Sequence, residues 1–245
     1  MKKRYNFFSR VADIIKKKLA QRNSRTFIRY IRKKNVRIGT NCIFRDPKTA
    51  FIDLTRPELI SIGNNVDMNR NFTIMSHDYG SLVFLSKYKD FINSSGKVVI
   101  GNNIYFGTNV IILKGVTIGD NCIIGAGSVV TRSIPSNSVA AGNPCRVLSS
   151  IDDYYHKRKD RALKEAVEWV NAFFCRYGRH PQPKELREEF IYFTNKYNTS
   201  SYESVGVQIK EQLADVYSDW MDNHLKSKFE NFEEFIKFCK KESEK

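Results

Sequence analysis

Apolar residues recur at every sixth position through the middle of the chain. Divided into sixes, residues 100–135 read IGNNIY, FGTNVI, ILKGVT, IGDNCI, IGAGSV and VTRSIP. The lead position is apolar in every unit, at Ile100, Phe106, Ile112, Ile118, Ile124 and Val130, and the fifth position is small or β-branched. A period of six does not fit an amphipathic helix, whose apolar spacing follows about 3.6 residues. It predicts a short strand and a sharp corner that repeat, with three units closing one triangular coil.

Glycine and asparagine occupy the positions between the predicted strands. The clearest are Gly101, Gly107, Gly119 and Gly125 after the lead residue, and Asn102, Asn103, Asn109 and Asn121 beyond it. Both residue types tolerate the positive φ that a corner can require. The repeat extends less regularly upstream to Ile38 and breaks between Tyr79 and Lys97, which predicts an excursion loop of about residues 79–98. A right-handed β-solenoid and a β-sandwich of short strands are the alternatives to this interpretation.

Helical spacing replaces the period of six at both ends of the chain. Residues 151–178 carry apolar residues at helical intervals and end at a glycine, and further helices are predicted over residues 183–197, 209–221 and 229–239. At the other end, residues 5–21 predict a helix with one apolar side, formed by Phe7, Val11, Ile14, Ile15 and Leu19. The predicted domains are therefore a basic helical arm (1–35), a β-helix (36–150) and an α-helical extension (151–245).

The charge of the chain is concentrated in the arm. The whole chain is 41% hydrophobic and carries a formal charge of +15, which taken alone points to a nucleic acid or an anionic membrane. Residues 1–35, however, hold 13 Lys and Arg and a single acid, Asp13, whereas residues 151–245 hold 17 basic and 18 acidic residues. A uniformly basic nucleic-acid-binding protein is thus a poor description. The arm either packs over the end of the β-helix with its charges in water, which is the favoured interpretation, or contacts an anionic membrane surface.

The five cysteines are odd in number, far apart and without a CxxC pair, so neither a zinc ribbon nor a disulfide framework is indicated. We expect reduced thiols in a cytoplasmic protein. The sequence shows no apolar run long enough for a signal peptide or a transmembrane helix.

The hexapeptides, the segment NFTIMSHDYG before them and the closing AAGNPCRVL resemble the left-handed β-helix acetyltransferases. Within that family the similarity is greatest to the sugar and polysaccharide O-acetyltransferases of the maltose, galactoside and capsule branch, and it covers about residues 36–150. The resemblance implies left-handed coils, acetyl-CoA as donor, a homotrimer with its active sites between neighbouring prisms, and transfer to a sugar hydroxyl. It does not identify the acceptor.

The same resemblance makes His77 the general base, with no covalent acyl-enzyme. His77 is the only histidine in the β-helix region, and an imidazole is suited to removing a proton from an attacking hydroxyl. The alternative is a surface histidine that is hydrogen-bonded in a loop. Either Asp78 or a backbone carbonyl would orient the ring. A single histidine also argues against the three-histidine zinc site of β-helix carbonic anhydrases, so no metal is expected.

By correspondence with the family, small and basic residues would hold acetyl-CoA. These are Gly107, Thr108, Gly125, Ala126, Thr131, Arg132 and Arg146, the two arginines serving the phosphates. Ser149 stands where the branch often has a second basic residue, which places that phosphate contact in doubt. Solvated surface charge is the alternative for the two arginines.

For the acceptor we predict an aromatic wall at Tyr105, with Tyr79, Asp78 and Asp53 as weaker candidates. A packing role at the outer wall or trimer seam is the alternative for Tyr105. Three other functions stay open from the sequence. They are acetylation of an antibiotic or amino-sugar amine, a non-catalytic β-helix scaffold, and, on charge alone, nucleic-acid binding.

Overall fold

The repeat region winds as a coil with three sides. The computed structural model describes residues 7–243, with side chains from residue 12 onwards. Successive strands join three sheets in rotation. The first sheet contains β1 (Arg37–Ile38), β4 (Ile60–Ile62), β7 (Val98–Ile100) and β10 (Thr117–Ile118). The second contains β2 (Ile43–Phe44), β5 (Val66–Met68), β8 (Ile104–Phe106), β11 (Cys122–Ile124), β13 (Ser138–Ala141) and β14 (Arg146–Ser150). The third contains β3 (Phe51–Ile52), β6 (Thr73–Ile74), β9 (Ile111–Ile112) and β12 (Val129–Val130).

The pairings within these sheets are parallel, except that β14 closes the coil antiparallel to β13. The predicted lead residues fill the interior, since all six from Ile100 to Val130 are at most 2% exposed. A column of phenylalanines runs along the axis through Phe44, Phe72 and Phe106, with ring centroids 6.2 and 4.9 Å apart. These observations confirm the predicted β-helix of hexapeptide coils.

Asparagines turn the corners, as their positions in the repeat predict. Asn65, Asn103 and Asn121 all have φ of 55°, in the left-handed region that few side chains adopt. Their side chains also join successive coils, because Asn103 Nδ2 donates to Asn121 Oδ1 at 2.8 Å. The corner therefore selects asparagine both for its backbone and for its side-chain amide.

The two helices of the arm are α1 (Phe7–Ala20) and α2 (Ser24–Lys33). Phe27, Ile28 and Ile31 of α2 are buried in the same core as the coils, and the Phe27 ring lies 4.9 Å from that of Phe44. The helix α2 therefore covers the first coil, which is the favoured interpretation of the arm. Phe7 and Val11, two residues used to predict α1, lie outside the described side chains.

The excursion between β6 and β7 is not a simple loop. Residues 79–97, which we call the flap, contain the helix α3 (Ser81–Tyr88). The flap exposes large apolar side chains, namely Tyr79, Leu82, Val83, Phe84, Leu85, Tyr88, Phe91 and Ile92.

Residues after β14 are helical, with two differences from the prediction. The helices are α4 (Ile151–Tyr177), α5 (Thr199–Ser204), α6 (Ile209–Leu213), α7 (Tyr217–Asn223) and α8 (Phe232–Ser243). The helix predicted over 183–197 is wrong, because this range forms two separate 3₁₀ turns, Pro183–Glu185 and Glu189–Tyr192. The Glu185 carboxylate accepts hydrogen bonds from Gln182 N and Arg179 and closes the first of them. The helix predicted over 209–221 is interrupted at Ala214, whose φ is 45°.

The chain divides into two compact units, one ending at His156 and the other beginning at Lys157. The second unit has its own aromatic core, which includes Phe190, Phe193 and Phe235. The three-part division predicted from the sequence is finer than these two units and stays a prediction.

Candidate active site

His77 lies at the base of the flap, just after β6 and at a corner of the coil. A short antiparallel pairing closes this base, with His77 opposite Ser95. Asp78 N donates to Ser94 O at 3.2 Å, and Gly96 N donates to Ser76 O at 3.0 Å. The backbone on both sides of the histidine is therefore held by the returning chain, which fixes the starting point of its side chain.

The imidazole of His77 contacts a buried carboxylate. Its Nδ1 lies 2.5 Å from Oδ2 of Asp53 and 3.1 Å from Oγ1 of Thr55. The His77 side chain is 15% exposed and that of Asp53 is 4% exposed. An ionised carboxylate only accepts hydrogen bonds, so the proton sits on Nδ1 and the lone pair on Nε2. Within the described residues Nε2 makes no hydrogen bond, so it is available to an incoming hydroxyl.

Four donors hold the Asp53 carboxylate besides the histidine. Ser76 donates from its backbone N (3.1 Å) and its Oγ (2.6 Å) to Oδ2, and Thr55 donates from its N (3.1 Å) and its Oγ1 (2.6 Å) to Oδ1. Burial of the Asp53 carboxyl raises its pKa, but the hydrogen bonds from Ser76, Thr55 and His77 together lower it by more. The pKa of Asp53 therefore lies well below the ordinary value, and the group is a fixed negative charge beneath the imidazole.

The register of the coils brings Asp53 and His77 together. The strands β3 and β6 pair as Phe51 with Thr73 and Ile52 with Ile74, and Asp53 N donates to Ile74 O at 3.1 Å. Asp53-Leu54-Thr55 therefore stacks on Met75-Ser76-His77 in the next coil. Asp53 was expected only as a weak acceptor residue, and neither Thr55 nor Ser76 was expected at the site. The irregular upstream repeat carries no signal for this contact, because it arises from the register of β3 on β6.

Asp78 does not orient His77. Its carboxylate accepts hydrogen bonds from the ammonium of Lys114, from Gly80 N at 2.8 Å and from Ser94 Oγ at 2.8 Å. The Lys114 ammonium, with the bonds from Gly80 and Ser94, lowers the pKa of Asp78 to about 2. Adjacent side chains on extended backbone point to opposite sides, so Asp78 points away from the His77 imidazole. Through Lys114 it joins the flap to the coil.

The two tyrosines predicted for the acceptor lie in different places. The Tyr79 ring is 69% exposed and stands edge-on to the His77 imidazole, with centroids 5.1 Å apart. Tyr105 lies on β8 of the second sheet, is 42% exposed and accepts a hydrogen bond from Asn69 at 3.4 Å. Within one chain Tyr79 adjoins the base, whereas Tyr105 lies on a different side of the prism from the strand that leads to His77.

The residues predicted for the donor lie at the two corners of the coil that flank the third sheet, except Arg146, which lies on β14. Gly107, Thr108, Gly125 and Ala126 lie at the corner leading into this sheet. Thr131 and Arg132 follow β12, at the corner where the chain leaves this sheet. His77 lies after β6 at the same corner of an earlier coil. Arg132 and Arg146 are exposed. The predicted acceptor residue Asp53 is buried, and its position beneath His77 leaves it no surface for a ligand.

Coil stacking explains one predicted donor glycine. A Cβ on Gly107 would lie 2.5 Å from Ala126 N in the next coil. Gly107 is therefore needed for the stacking of coils, whatever else lies against it. Gly127, by contrast, faces open space and has a φ of 71°.

Among the described residues, no group of three or more His, Cys, Asp or Glu is placed to hold a metal ion. None of the described helices is long and apolar enough to cross a membrane.

The chain is similar to known proteins over half of its length or more. The family described as bacterial transferase hexapeptide (six repeats) matches residues 97–132. Galactoside O-acetyltransferase of Escherichia coli (strain K12) is 42% identical over 127 residues, which is 50% of this chain and 60% of that protein. Protein CapG of Staphylococcus aureus is 34% identical over 172 residues, which is 70% of this chain and 90% of CapG.

A solved structure of galactoside acetyltransferase in complex with coenzyme A is 33% identical, with a TM-score of 0.35 and coverage of 48% of this chain and 66% of that one. The match to CapG covers 90% of that protein, and the hexapeptide family matches the repeats themselves. The chain belongs to the bacterial hexapeptide-repeat transferases, the left-handed β-helix family whose sugar and polysaccharide O-acetyltransferases its repeats resemble.

Proposed function

We propose that the protein is an acetyl-CoA-dependent O-acetyltransferase that acts on a hydroxyl of a sugar, in a cell-surface polysaccharide or its precursor. The observation that carries this proposal is the pair of His77 and Asp53, in which a buried carboxylate sets the tautomer of an imidazole with a free Nε2. The sugar O-acetyltransferase named among its relatives supports the choice of acceptor class. That relative is covered over 60% of its length, so the acceptor rests on this support together with the site.

His77 performs the proton transfer in this proposal. Nε2 takes the proton of the acceptor hydroxyl as its oxygen attacks, so no free alkoxide forms. The imidazolium that results is stabilised by the Asp53 carboxylate, and it then returns the proton to the departing sulfur. The new C–O bond replaces the broken C–S bond, and the products are the acetyl ester and the free thiol of CoA.

When bound, acetyl-CoA supplies the thioester carbonyl. The chain offers a surface that fits such a cofactor, because Thr108, Ala126 and the open side of Gly127 leave a row of small residues along one corner. The exposed guanidinium groups of Arg132 and Arg146 are suited to phosphates. In this proposal Gly125 lets the cofactor approach the backbone closely, and Thr131 lines the same groove.

Direct transfer without an acyl-enzyme is supported by the cysteines. Burial raises the pKa of the Cys42, Cys122 and Cys145 thiols in the first unit, so none is a ready thiolate nucleophile. The free state of all five cysteines also supports the proposed cytoplasmic location. The exposed apolar side chains of the flap support assembly as a homotrimer, in which a neighbouring prism would cover them.

The test combines acetyl-CoA with a panel of mono- and oligosaccharides and amino sugars. Thiol release is measured with a thiol reagent, and the acetylated atom is identified by NMR. We expect an acetylated hydroxyl, and we expect His77→Ala to lower the rate by roughly 10²- to 10⁴-fold while the circular dichroism and Tm are unchanged. His156→Ala, at an exposed histidine, is the matched control and should retain full activity.

Each contrary outcome identifies a different error. Full activity of His77→Ala would refute the general base. Acetylation of amines alone would favour the antibiotic or amino-sugar alternative. No turnover with any acceptor would favour the non-catalytic scaffold.

A further inference from the structure

The two helices of the basic arm have different surroundings. The helix α2 buries Phe27, Ile28 and Ile31 against the first coil, whereas three large apolar residues of α1 are exposed. Ile14 is 56% exposed, Ile15 51% and Leu19 54%. These three large aliphatic side chains share one half of α1 and are left in water, which costs free energy unless another surface covers them.

Exposed lysines lie beside and within this apolar stripe. At helical spacing Lys16 and Lys17 lie on the other side of α1, and Lys18, four residues after Ile14, lies in the stripe itself. Asp13 is the single acid among residues 1–35, and its carboxylate lies 3.9 Å from the ammonium of Lys34. Asp13 therefore offsets the charge of Lys34. An amphipathic helix with an apolar side and a basic side is the form that lies in the interface of an anionic bilayer.

A groove between α1 and α2 adds a second feature, which shares Leu19 and Lys16 with α1 and adds residues of α2. Its volume is about 410 Å³, and Leu19, Ala20 and Tyr30 contribute apolar surface to it. Its other lining includes three cations, Lys16, Arg29 and Lys33, and within the described residues none of them makes an ion pair. An apolar groove with unpaired cations matches a phospholipid, whose acyl chain is apolar and whose phosphate is anionic.

We propose that α1 and the groove between α1 and α2 dock on an anionic phospholipid bilayer. Apolar insertion by Ile14, Ile15 and Leu19 would add to the attraction of the lysines and arginines for acidic headgroups. A nucleic acid would engage the cations but would have no use for an exposed aliphatic stripe. The inference does not depend on acetyl transfer, and it assigns separate roles to the two helices, α2 as cover of the coil and α1 as membrane contact.

The test is co-sedimentation of the full chain with vesicles of phosphatidylcholine, with and without phosphatidylglycerol. We expect binding only where phosphatidylglycerol is present and weaker binding at high salt, because salt screens the headgroup charge. Equal sedimentation with both vesicle types, or with neither, would overturn the proposal. Vesicle binding is measured without acetyl-CoA, so a failure here leaves the enzymatic proposal untouched.

Three variants identify the surface. Lys16→Glu with Arg29→Glu and Lys33→Glu should weaken vesicle binding by roughly a hundred-fold, at about 1 kcal/mol for each cation near the surface. Ile14→Ser with Ile15→Ser and Leu19→Ser should weaken it by roughly ten-fold or more at unchanged net charge. Lys226→Glu with Lys228→Glu and Lys237→Glu makes the same charge change on exposed lysines of the second unit and should bind like the unmodified chain.

Equal losses in the two charge-reversed variants would show attraction by net charge alone and would overturn the assignment to α1. Full binding by the serine variant would also overturn it. Circular dichroism and thiol release with a soluble acceptor should be the same for all variants, which separates loss of docking from loss of fold.

Discussion

Asp53 is a buried charge that the surrounding chain fully satisfies. It is 3% exposed, and among the described residues Ser76, Thr55 and His77 provide the hydrogen bonds to its carboxylate. An unpaired carboxylate at this depth would be strongly unfavourable, so the surrounding donors are what allow the negative charge to remain beneath the imidazole. Asp53 acts through His77 and is therefore a positioning residue.

Replacing Asp53 by Asn should separate proton transfer from binding. The amide can donate to Nδ1 and so favour the tautomer that carries its proton on Nε2, which cannot act as a base. We expect kcat to fall by roughly 10³- to 10⁴-fold with the KM for acetyl-CoA unchanged. Asp67→Asn is the matched control, because Asp67 pairs with Arg45 on the second sheet, and it should retain kcat. An unchanged kcat for Asp53→Asn would remove Asp53 from the mechanism.

The same Asp53→Asn variant reports on the charge through the pH dependence of stability. The pKa of Asp53 in the folded chain lies below its unfolded value of about 4. Its stabilising contribution is therefore complete above that pH and is lost as the pH falls through the folded-state pKa. Urea unfolding should show a constant difference in the free energy of unfolding near neutral pH and a smaller one below about pH 4. A difference independent of pH would indicate a steric effect of the substitution.

At the scale of the coil, close stacking decides which positions must be glycine. Cβ atoms on Gly107 and Gly119 would each lie 2.5 Å from a backbone nitrogen of the next coil, at Ala126 and Ser136. The φ angles of both glycines are outside the left-handed region, so space alone excludes a side chain there. Gly119 lies at a different corner of the coil from the predicted donor groove, which makes the pair a test of what Gly107 is for.

We expect Gly107→Ala and Gly119→Ala to lower the free energy of unfolding by similar amounts, about 1–3 kcal/mol each, because both overpack the coil. Gly80→Ala is the control, since Gly80 has a helical φ of −55° beside α3 and its Cβ would approach only the exposed Asp78 carboxylate, at 3.1 Å, so its effect should be small. Urea unfolding without cofactor measures all three. A neutral Gly107→Ala that loses only acetyl transfer would instead make cofactor approach the reason for this glycine.

In the molecule as a whole, the flap exposes a group of large apolar side chains next to the candidate base. Its side chains are half or more exposed at Leu82, Val83 and Phe91, close in sequence to His77. A soluble monomer rarely exposes so many large apolar groups in one segment. A second copy of the chain covering the flap would exclude water from the base, which proton transfer from a sugar hydroxyl benefits from.

For the proposed homotrimer, light scattering should give a mass three times that of the 28.5 kDa chain. The triple variant Leu82→Ser, Val83→Ser and Phe91→Ser should shift the protein towards monomer, and kcat should fall as the trimer is lost. Val205→Ser with Val216→Ser and Leu225→Ser changes equally exposed apolar residues of the second unit and should leave the mass unchanged. A monomer that retains full activity would contradict a site between neighbouring prisms.

The amino-acid pattern was enough to predict the β-helix, because the period of six places each lead residue inside and the repeated asparagines and glycines at corners. That information is local and repeats, so it can be read without knowing which coil packs on which. It also indicated His77, through the segment that precedes the repeats.

The orientation of His77 depends on the packing of one coil on the next. Asp53 is 24 positions away in the chain, and the contact depends on the register of β3 on β6, which local patterns do not specify. The helices predicted over residues 183–197 and 209–221 are interrupted where Glu185 closes a 3₁₀ turn with Gln182 and where Ala214 has a φ of 45°, and the apolar spacing reports neither feature. The two helices of the arm also differ for a reason that their spacing does not show, because Phe27, Ile28 and Ile31 of α2 are buried in the core of the coils whereas Ile14, Ile15 and Leu19 of α1 are exposed.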